Sequence, residues 1–519
     1  MAKNSRTKNS ILNLLTGYGG EFLVIILKFV TRMVFIATLG KAYLGINGLF
    51  SDILQMLSLT ELGFDTAMNY KLYKPIAEGD MKRLRALMRF YKTVYRVIGI
   101  AILVLGLGLI PFLHFLIRDY DTLDKLGING PLIFVLFLLQ SVSSYTFFAY
   151  RSALMRAAQK GYVLNVIGYF VDIATNLVQI TILYFLRNFL LYTAAVVLMN
   201  IVKNTVNAAV TARYFPDVFK KGEEKLSREE VVDTFKDCGA LFIYKLNSVV
   251  LKATDNAVLS IFIGLSIVGV YSNYLMLYTT LKKVLNKFYA SVKASMGDLF
   301  STSDMDRKYR FFGIMNYITV ILYGTACVGI AVVADEIVES MAGKSYLIPQ
   351  PFALLVGIEL LFAGLKTNLG QIRNITGVFR QMWFRPAIGA LVNIAVSVAT
   401  VQRFGIYGVI IGTITADLTT NFMVDPRIIH KYSFKNYRPV SDYYKRNGLY
   451  LLLLAAVGAG DYALSRCFLY GHGWFSVIVH MALCGVTVPA AFLLVYRNTE
   501  ESRYLRKKAA GIWRKMRRK

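Results

Sequence analysis

Charged side chains interrupt long apolar stretches of this sequence, and they do so at helical spacing. In "GEFLVIILKFVTRMVFI" (20–36), Glu21, Lys28 and Arg32 stand seven and four residues apart. An α-helix turns about 100° per residue, so these three form one narrow stripe. Lys245, Lys252 and Asn256 repeat that spacing in the apolar stretch 235–263, with Asp255 about 60° aside from Lys252. Glu359, Lys366 and Arg373 are seven and seven apart in 350–378. Asn165, Asp172, Asn176 and Gln179 share a face of 161–186, and Glu61 lies one turn from Asp65 in "TELGFD". Lys282, Lys283, Lys287 and Lys293 crowd 267–299, and Arg151 stands near the inner end of 130–157.

These side chains suit binding rather than bond chemistry. No nucleophile–base constellation is visible, and no Gly-x-x-x-x-Gly-Lys-Ser/Thr loop is present for ATP. The reading is therefore not an enzyme. "GYGG" (17–20) fits close helix packing better than a phosphate loop. An ionised group near a bilayer centre costs about 2.5–3.5 kcal/mol, so such stripes must face one another or water. A solvated central cavity is the sharper reading. The plainer one is ion pairs that lock helices, such as Glu21 with Lys28, or residues that snorkel to the interface.

The sign of the cavity narrows its cargo. Lys28, Arg32, Arg151, Lys245, Lys252, Lys366 and Arg373 stand against Glu21, Glu61, Asp65, Asp172, Asp255 and Glu359. The stripes of 20–36 and 235–263 are net basic, which suits a phosphate or pyrophosphate. A drug-cation exporter would more naturally offer an acidic, aromatic pocket.

The elements that must position these stripes are membrane spans. The chain has 519 residues, 56% hydrophobic and 17% charged, with a mean hydropathy of +0.49. Fourteen apolar stretches are long enough to cross a bilayer. They run 11–39, 44–74, 86–117, 130–157, 161–186, 189–214, 235–263, 267–299, 308–334, 350–378, 381–402, 405–429, 447–467 and 473–496. The expected fold is an all-α polytopic membrane protein.

The net charge of +28 sits mostly in alternate loops, such as "RYFPDVFKKGEEKLSREE" and the segment "RYLRKKAAGIWRKMRRK". The intervening loops, such as "GKAYLG" and "GLSIVG", are short and poor in Lys and Arg. The basic set is expected in the cytoplasm, facing anionic lipid, with both termini inside. No basic soluble domain is present to hold nucleic acid. "MAKNSRTKNS" is read as the lead into an uncleaved first span. Cys238, Cys327, Cys467 and Cys484 show no metal-ligand spacing, and neither do the four histidines. No metal or other cofactor is expected.

An ungapped shift of 224 residues matches the chain to itself. Lys28 meets Lys252, Gly40 meets Gly264, Gly45 meets Gly269, and "DMKR" (80–83) meets "DMDR" (304–307). Near a shift of 222, Arg151 meets Arg373 and Gln159 meets Gln381. Spans 1–6 and 7–12 thus read as two copies of one six-helix bundle. Six is even, so the repeat is parallel, with the site expected between the copies. The resulting domains are a first bundle (1–215), a cytoplasmic linker (216–234), a second bundle (235–430), a loop (431–446), two extra spans (447–496) and a basic tail (497–519).

The stretch "LGKAYLGINGLFSDILQMLSLTELGFDTAMNYKLYKPIAEGDMKRLRALMRFYK" (39–92) resembles the opening of Wzx-type polysaccharide flippases. These belong to the multidrug/oligosaccharidyl-lipid/polysaccharide exporter superfamily. The similarity is strongest over spans 1–3 and extends loosely over all fourteen. It implies two bundles forming a V in a bacterial plasma membrane. It also implies movement of an undecaprenyl-diphosphate-linked glycan to the outer leaflet by alternating access, for cell-surface polysaccharide synthesis. Cationic cavity roles for Lys28, Arg32, Lys245 and Lys252 follow from the same likeness. The implied partners are the lipid-linked glycan, membrane lipids and other polysaccharide-assembly proteins. Proton or sodium coupling would fall to Glu21, Glu61, Asp65 or Asp255. A cation-coupled multidrug exporter of the same fold, and a flippase for lipid II or a spore-wall precursor, are the competing readings. A membrane glycan polymerase would need a larger external loop than "RDYDTLDKLGING" or "VADEIVESMAGKSYLIPQ".

Overall fold

In the computed structural model, the described residues are 3–57, 64–118, 120–125, 127–220, 224–235, 254–378, 380–382, 384–467, 471 and 473–517. Among them the chain is helical, with no strand. Among the described residues, nine helices are long and apolar enough to cross a membrane. The pair Gly130–Thr146 and Ala149–Ala157, bent by 42°, makes a tenth when taken as one span. The other four expected spans differ for identifiable reasons. The stretch 44–74 appears as Lys41–Leu57 and Phe64–Glu78, on either side of residues outside the description. Most of 235–263 also lies outside it. Leu265–Thr302 is one unbroken helix, but its Ser, Asn, Thr, Tyr and Lys residues leave it too polar to pass as a span. In 405–429 a π-helical turn, Asp417–Phe422, follows Ile406–Ala416.

Two compact units result, Met1–Gly269 and Val270–Lys519. In the first, α1 (Lys3–Leu39) packs along α7 (Gly161–Thr181). Beside them run α2 (Lys41–Leu57), α3 (Phe64–Glu78), α4 (Met81–Leu109), α5 (Gly130–Thr146), α6 (Ser152–Ala157) and α8 (Phe189–Tyr214). On α4, Val97, Ile100, Val104 and Leu107 are exposed at three- and four-residue spacing. That pattern gives an apolar outer face suited to lipid. Residues 254–264 pack within this unit: Ser260 donates to the Leu116 carbonyl at 2.7 Å, and the Arg118 amide donates to the Ser260 carbonyl at 3.3 Å.

In the second unit, α9 (Leu265–Thr302), most of which lies there, leads into α10 (Met305–Ala342) and α11 (Phe352–Thr376). The apolar windows of α10 and α11 are each 61% buried, against 22–28% for the other spans of this unit, so these two form its core. α12 (Arg385–Phe404) and α13 (Ile406–Ala416) make a close hairpin. Gly408 and Gly412 permit it, since a Cβ on Gly412 would lie 2.1 Å from Ser397 Oγ. α14 (Asp425–Tyr432) and the two spans outside the repeat, α15 (Val440–Cys467) and α16 (Trp474–Val495), follow. α16 is tied to α10 by a buried cluster. Glu336 accepts from Ser476 at 2.8 Å and lies 3.0 Å from His480 Nδ1. Asp461 accepts from Thr487 at 2.6 Å and joins α15 to α16.

The repeat has structural counterparts. Asp80 and Asp304, the paired aspartates of "DMKR" and "DMDR", are both helix N-caps. Asp80 accepts from the Arg83 amide at 2.9 Å, and Asp304 from the Arg307 amide at 3.0 Å. Each satisfies a backbone donor that the first helical turn leaves free. Gly40 and Gly264 both have positive φ, 85° and 132°, where a Cβ would be strained.

Candidate functional site

Several of the described candidate residues are joined in a polar network in each unit. In the first, Tyr169 of α7 lies over Gly20 of α1, where a Cβ would stand 2.2 Å from its ring. Its hydroxyl reaches Glu21. One turn on, Asp172 pairs with Lys203 of α8 at 3.0 Å. Asn176 donates to the Asp172 carbonyl at 2.7 Å and accepts from the buried Thr31 of α1 at 2.9 Å. Further along, Gln179 reaches Tyr192, which also feels the charge of Arg32. The α1 and α7 stripes therefore face one another over much of their length. Lys28 is the exception. It is exposed and has no hydrogen bond or ion pair with any described residue. Asn165, at the other end of the α7 stripe, is half-buried.

Three residues here were not singled out by sequence. Lys203 had a usable signal, because Asn200, Lys203, Asn204 and Asn207 stand at helical spacing on α8. Asn200 reaches Ser144 Oγ at 3.2 Å and Asn204 the Ser143 carbonyl at 3.0 Å, leaving Lys203 for Asp172. Tyr169 had no signal, being one aromatic among many. Asp52 of α2 accepts from Asn256 at 2.6 Å and ties α2 to the segment 254–264. It is a lone carboxylate with no stripe around it.

The other first-unit candidates are dispersed. Arg151 lies in the short turn Ala149–Arg151, with Phe148 and Phe219 ring centroids at 4.8 and 4.4 Å. Such cation–π contacts hold a guanidinium without a carboxylate. Asp255 is half-buried beside Asn256. Lys245, Lys252 and Glu61 lie outside the described residues, as does the side chain of Asp65.

In the second unit the stripe on α11 becomes a chain of contacts. Tyr278 of α9 reaches Glu359, and Lys282 donates to the Tyr278 hydroxyl at 2.6 Å. Lys366 lies 3.4 Å from Asp417. Asp417 and Asn421 share the π-helical turn and bond to each other, and Arg385 donates to Asn421. Arg385 Nε then stands 2.9 Å from Asp425 Oδ1, a nearly solvent-free ion pair with exposures of 6% and 2%. Arg373 is buried beside Arg385 and Asp425. Of these, Asp417, Arg385 and Asp425 escaped the sequence reading. Asp417 and Asn421, four residues apart, share a face on a 100° wheel, but no extended stripe marked them. Asp417 meets Lys366 from 51 residues away. The side chain of Lys293 lies outside the description.

Beyond the membrane-facing helices, His430 of α14 is buried under Tyr309, Phe312, Phe434 and Tyr443. Nδ1 lies 2.8 Å from the Pro426 carbonyl, so this nitrogen carries the proton, and Nε2 accepts from the Tyr309 hydroxyl at 3.3 Å. Burial lowers its pKa below the ordinary histidine value.

Comparison with known proteins identifies the architecture. No protein-family model matches the sequence, and no curated protein does. Solved structures do match. One is an inward-facing multidrug resistance MATE family transporter of the MOP superfamily, with a TM-score of 0.63 at 12% identity, over 80% of this chain and 96% of that one. Another is the lipid II flippase MurJ in an inward closed conformation, with a TM-score of 0.63 at 14% identity, over 93% and 99%. A third is the MATE multidrug transporter DinF-BH in complex with R6G, with a TM-score of 0.59 at 13% identity, over 82% and 96%. The chain shares their fold. The all-α polytopic architecture expected from sequence is therefore the one observed.

Proposed function

We propose that this protein is a flippase for a polyprenyl-diphosphate-linked glycan. In this reading it works in a bacterial plasma membrane, with both termini cytoplasmic. Lys28 carries the reading. It is an exposed cation in the middle of the span Gly20–Leu39, with no carboxylate among the described residues to neutralise it. Hydrocarbon would not tolerate it, so it calls for water and an anion. A diphosphate supplies that anion on a lipid carrier. The resemblance of 39–92 to Wzx-type flippases and the fold shared with a lipid II flippase both support a lipid-borne cargo.

In this mechanism Lys28, Arg32, Lys245 and Lys252 draw the diphosphate from the inner leaflet, and the polyprenyl tail stays in lipid. Polar faces such as that of α7 accommodate the sugars. Lys366 and Arg373, beside Asp417 and Asp425, and Arg151, among aromatic rings, are the proposed further cations of the path. Alternating access carries the headgroup across. Glu21, Glu61, Asp65 and Asp255 are the proposed proton or sodium couplers. Lipid II or a spore-wall precursor presents the same diphosphate. The near-complete coverage of the lipid II flippase fold keeps that cargo as the second reading.

The test reconstitutes the protein in vesicles with a fluorescent lipid-diphosphate glycan. Removing one charge-assisted contact of about 1.5–3 kcal/mol slows transport roughly ten- to a hundredfold. Lys28→Ala, Arg32→Ala and Lys252→Ala are each expected to do so. Full transport by all three at normal expression overturns the anionic-site reading. Exchange of a cationic dye for protons, without glycan transport, selects the drug exporter instead.

A further inference from the structure

The last helix, α17 (Glu500–Arg517), begins after a short connection, 496–499, from the end of the span Trp474–Val495. Its start is therefore held near the membrane surface. Its two acidic residues are both in the first turn, and both meet arginines of the second unit. Glu500 lies 3.3 Å from Arg310 of α10, and Glu501 lies 2.6 Å from Arg446 of α15. Glu501 and Ser502 are buried, so this turn is docked. From there on the helix has no acidic residue. It carries Arg503, Arg506, Lys507, Lys508, Arg514, Lys515 and Arg517, and the first four are exposed.

Helical register sorts this sequence into two faces. Leu505, Ala509, Ile512 and Met516 fall within about 60° of one another. Arg503, Lys507, Arg514 and Arg517 fall on the opposite side. An apolar strip and a basic face, on a helix that starts at the bilayer surface, are the features of a helix lying in the interface.

We propose that α17 binds the surface of a bilayer rich in acidic phospholipid. Its apolar strip enters the headgroup region and its cations meet the lipid phosphates. Through Arg310–Glu500 and Arg446–Glu501 this contact is joined to α10 and α15, so the second unit senses membrane charge. The proposal does not depend on what the protein transports.

The chain contains three tryptophans, Trp383, Trp474 and Trp513. In full-length protein carrying Trp383→Phe and Trp474→Phe, Trp513 alone reports on α17. The protein is reconstituted in vesicles of phosphatidylcholine alone or with about a third phosphatidylglycerol. The expected result is a blue-shifted Trp513 emission and several-fold weaker acrylamide quenching in the acidic vesicles, both reduced by high salt. Replacing Lys507, Lys508, Arg514 and Lys515 by Gln abolishes the lipid dependence, with an unchanged melting temperature as the folding control. Equal quenching in both vesicle types overturns the proposal. So does equal protection in neutral vesicles and in detergent, which would place the strip against protein.

Discussion

Gly45 and Gly269 make reciprocal backbone contacts across the 224-residue repeat. A Cβ on Gly45 would lie 2.0 Å from the Leu265 carbonyl oxygen, and a Cβ on Gly269 would lie 2.2 Å from the Lys41 carbonyl oxygen. Lys41 and Leu265 are themselves 224 residues apart. Each glycine thus meets the carbonyl four residues before its counterpart, as two-fold related helices would. The first turns of α2 and α9 approach backbone to backbone, which only glycine permits.

That crossing is at the end of α2 and α9 expected outside, and the proposed alternating access would require it to part. Gly45→Val places a branched side chain where a carbonyl now sits. Overpacking of this kind costs about 1–3 kcal/mol, enough to lower the closed population roughly tenfold. Val268 beside it is fully buried. In a cysteine-free background, Val268→Cys should resist a membrane-impermeant maleimide. Adding Gly45→Val should raise its labelling several-fold and slow transport. Unchanged labelling would mean that the crossing tolerates the bulk and is no gate.

The buried pair in the second unit gives a stability prediction. Removing one partner of a desolvated ion pair leaves an uncompensated charge and costs about 3–5 kcal/mol. Asp425→Asn strands two guanidinium groups, those of Arg385 and Arg373. It should strongly lower the unfolding temperature in detergent. Arg385→Met combined with Asp425→Leu removes both charges of the pair and should recover much of the loss. A single variant as stable as the parent would show that water reaches this pair.

How much of this was legible beforehand follows from which signals are periodic. The stripes on α1, α7 and α11 were visible because straight helices preserve a 100° step. The paired aspartates were visible because an N-cap needs a short acceptor side chain at one place. Asp417, Arg385 and Asp425 stayed hidden because their partners lie on other helices: Lys366 is 51 residues from Asp417, and Arg385 is 40 from Asp425. Tyr169 and Asp52 stayed hidden because their partners, Glu21 and Asn256, are 148 and 204 residues away. Glu21 read naturally as the mate of Lys28, yet it is Tyr169 that reaches it, and Lys28 stands alone among the described residues.

Lys203 and Asp172 separate a structural role from a transport role. Their side chains are 31% and 37% exposed, so the pair adds less than about 1 kcal/mol of stability. Lys203→Met and Asp172→Asn should therefore leave the melting temperature nearly unchanged. If the α1–α7 face lines the path, both should still reduce glycan transport. A variant that transports normally would remove this face from the pathway.

His430 gives a pH dependence of known sign. Its pKa is lowered because burial disfavours the imidazolium, more than the bond to Pro426 and the nearby Asp442 favour it. The unfolded chain binds this proton more readily than the folded one. The neutral ring's contribution is therefore fully present above the ordinary histidine pKa, and it is lost as pH falls through that value towards the lower folded one. The unfolding temperature in detergent should drop between about pH 7 and pH 5. His430→Gln keeps an uncharged donor and acceptor on α14 while removing the titrating ring. It should lower stability at pH 7 yet flatten the decline below it. A variant whose slope matches the parent would assign the acid sensitivity to other groups.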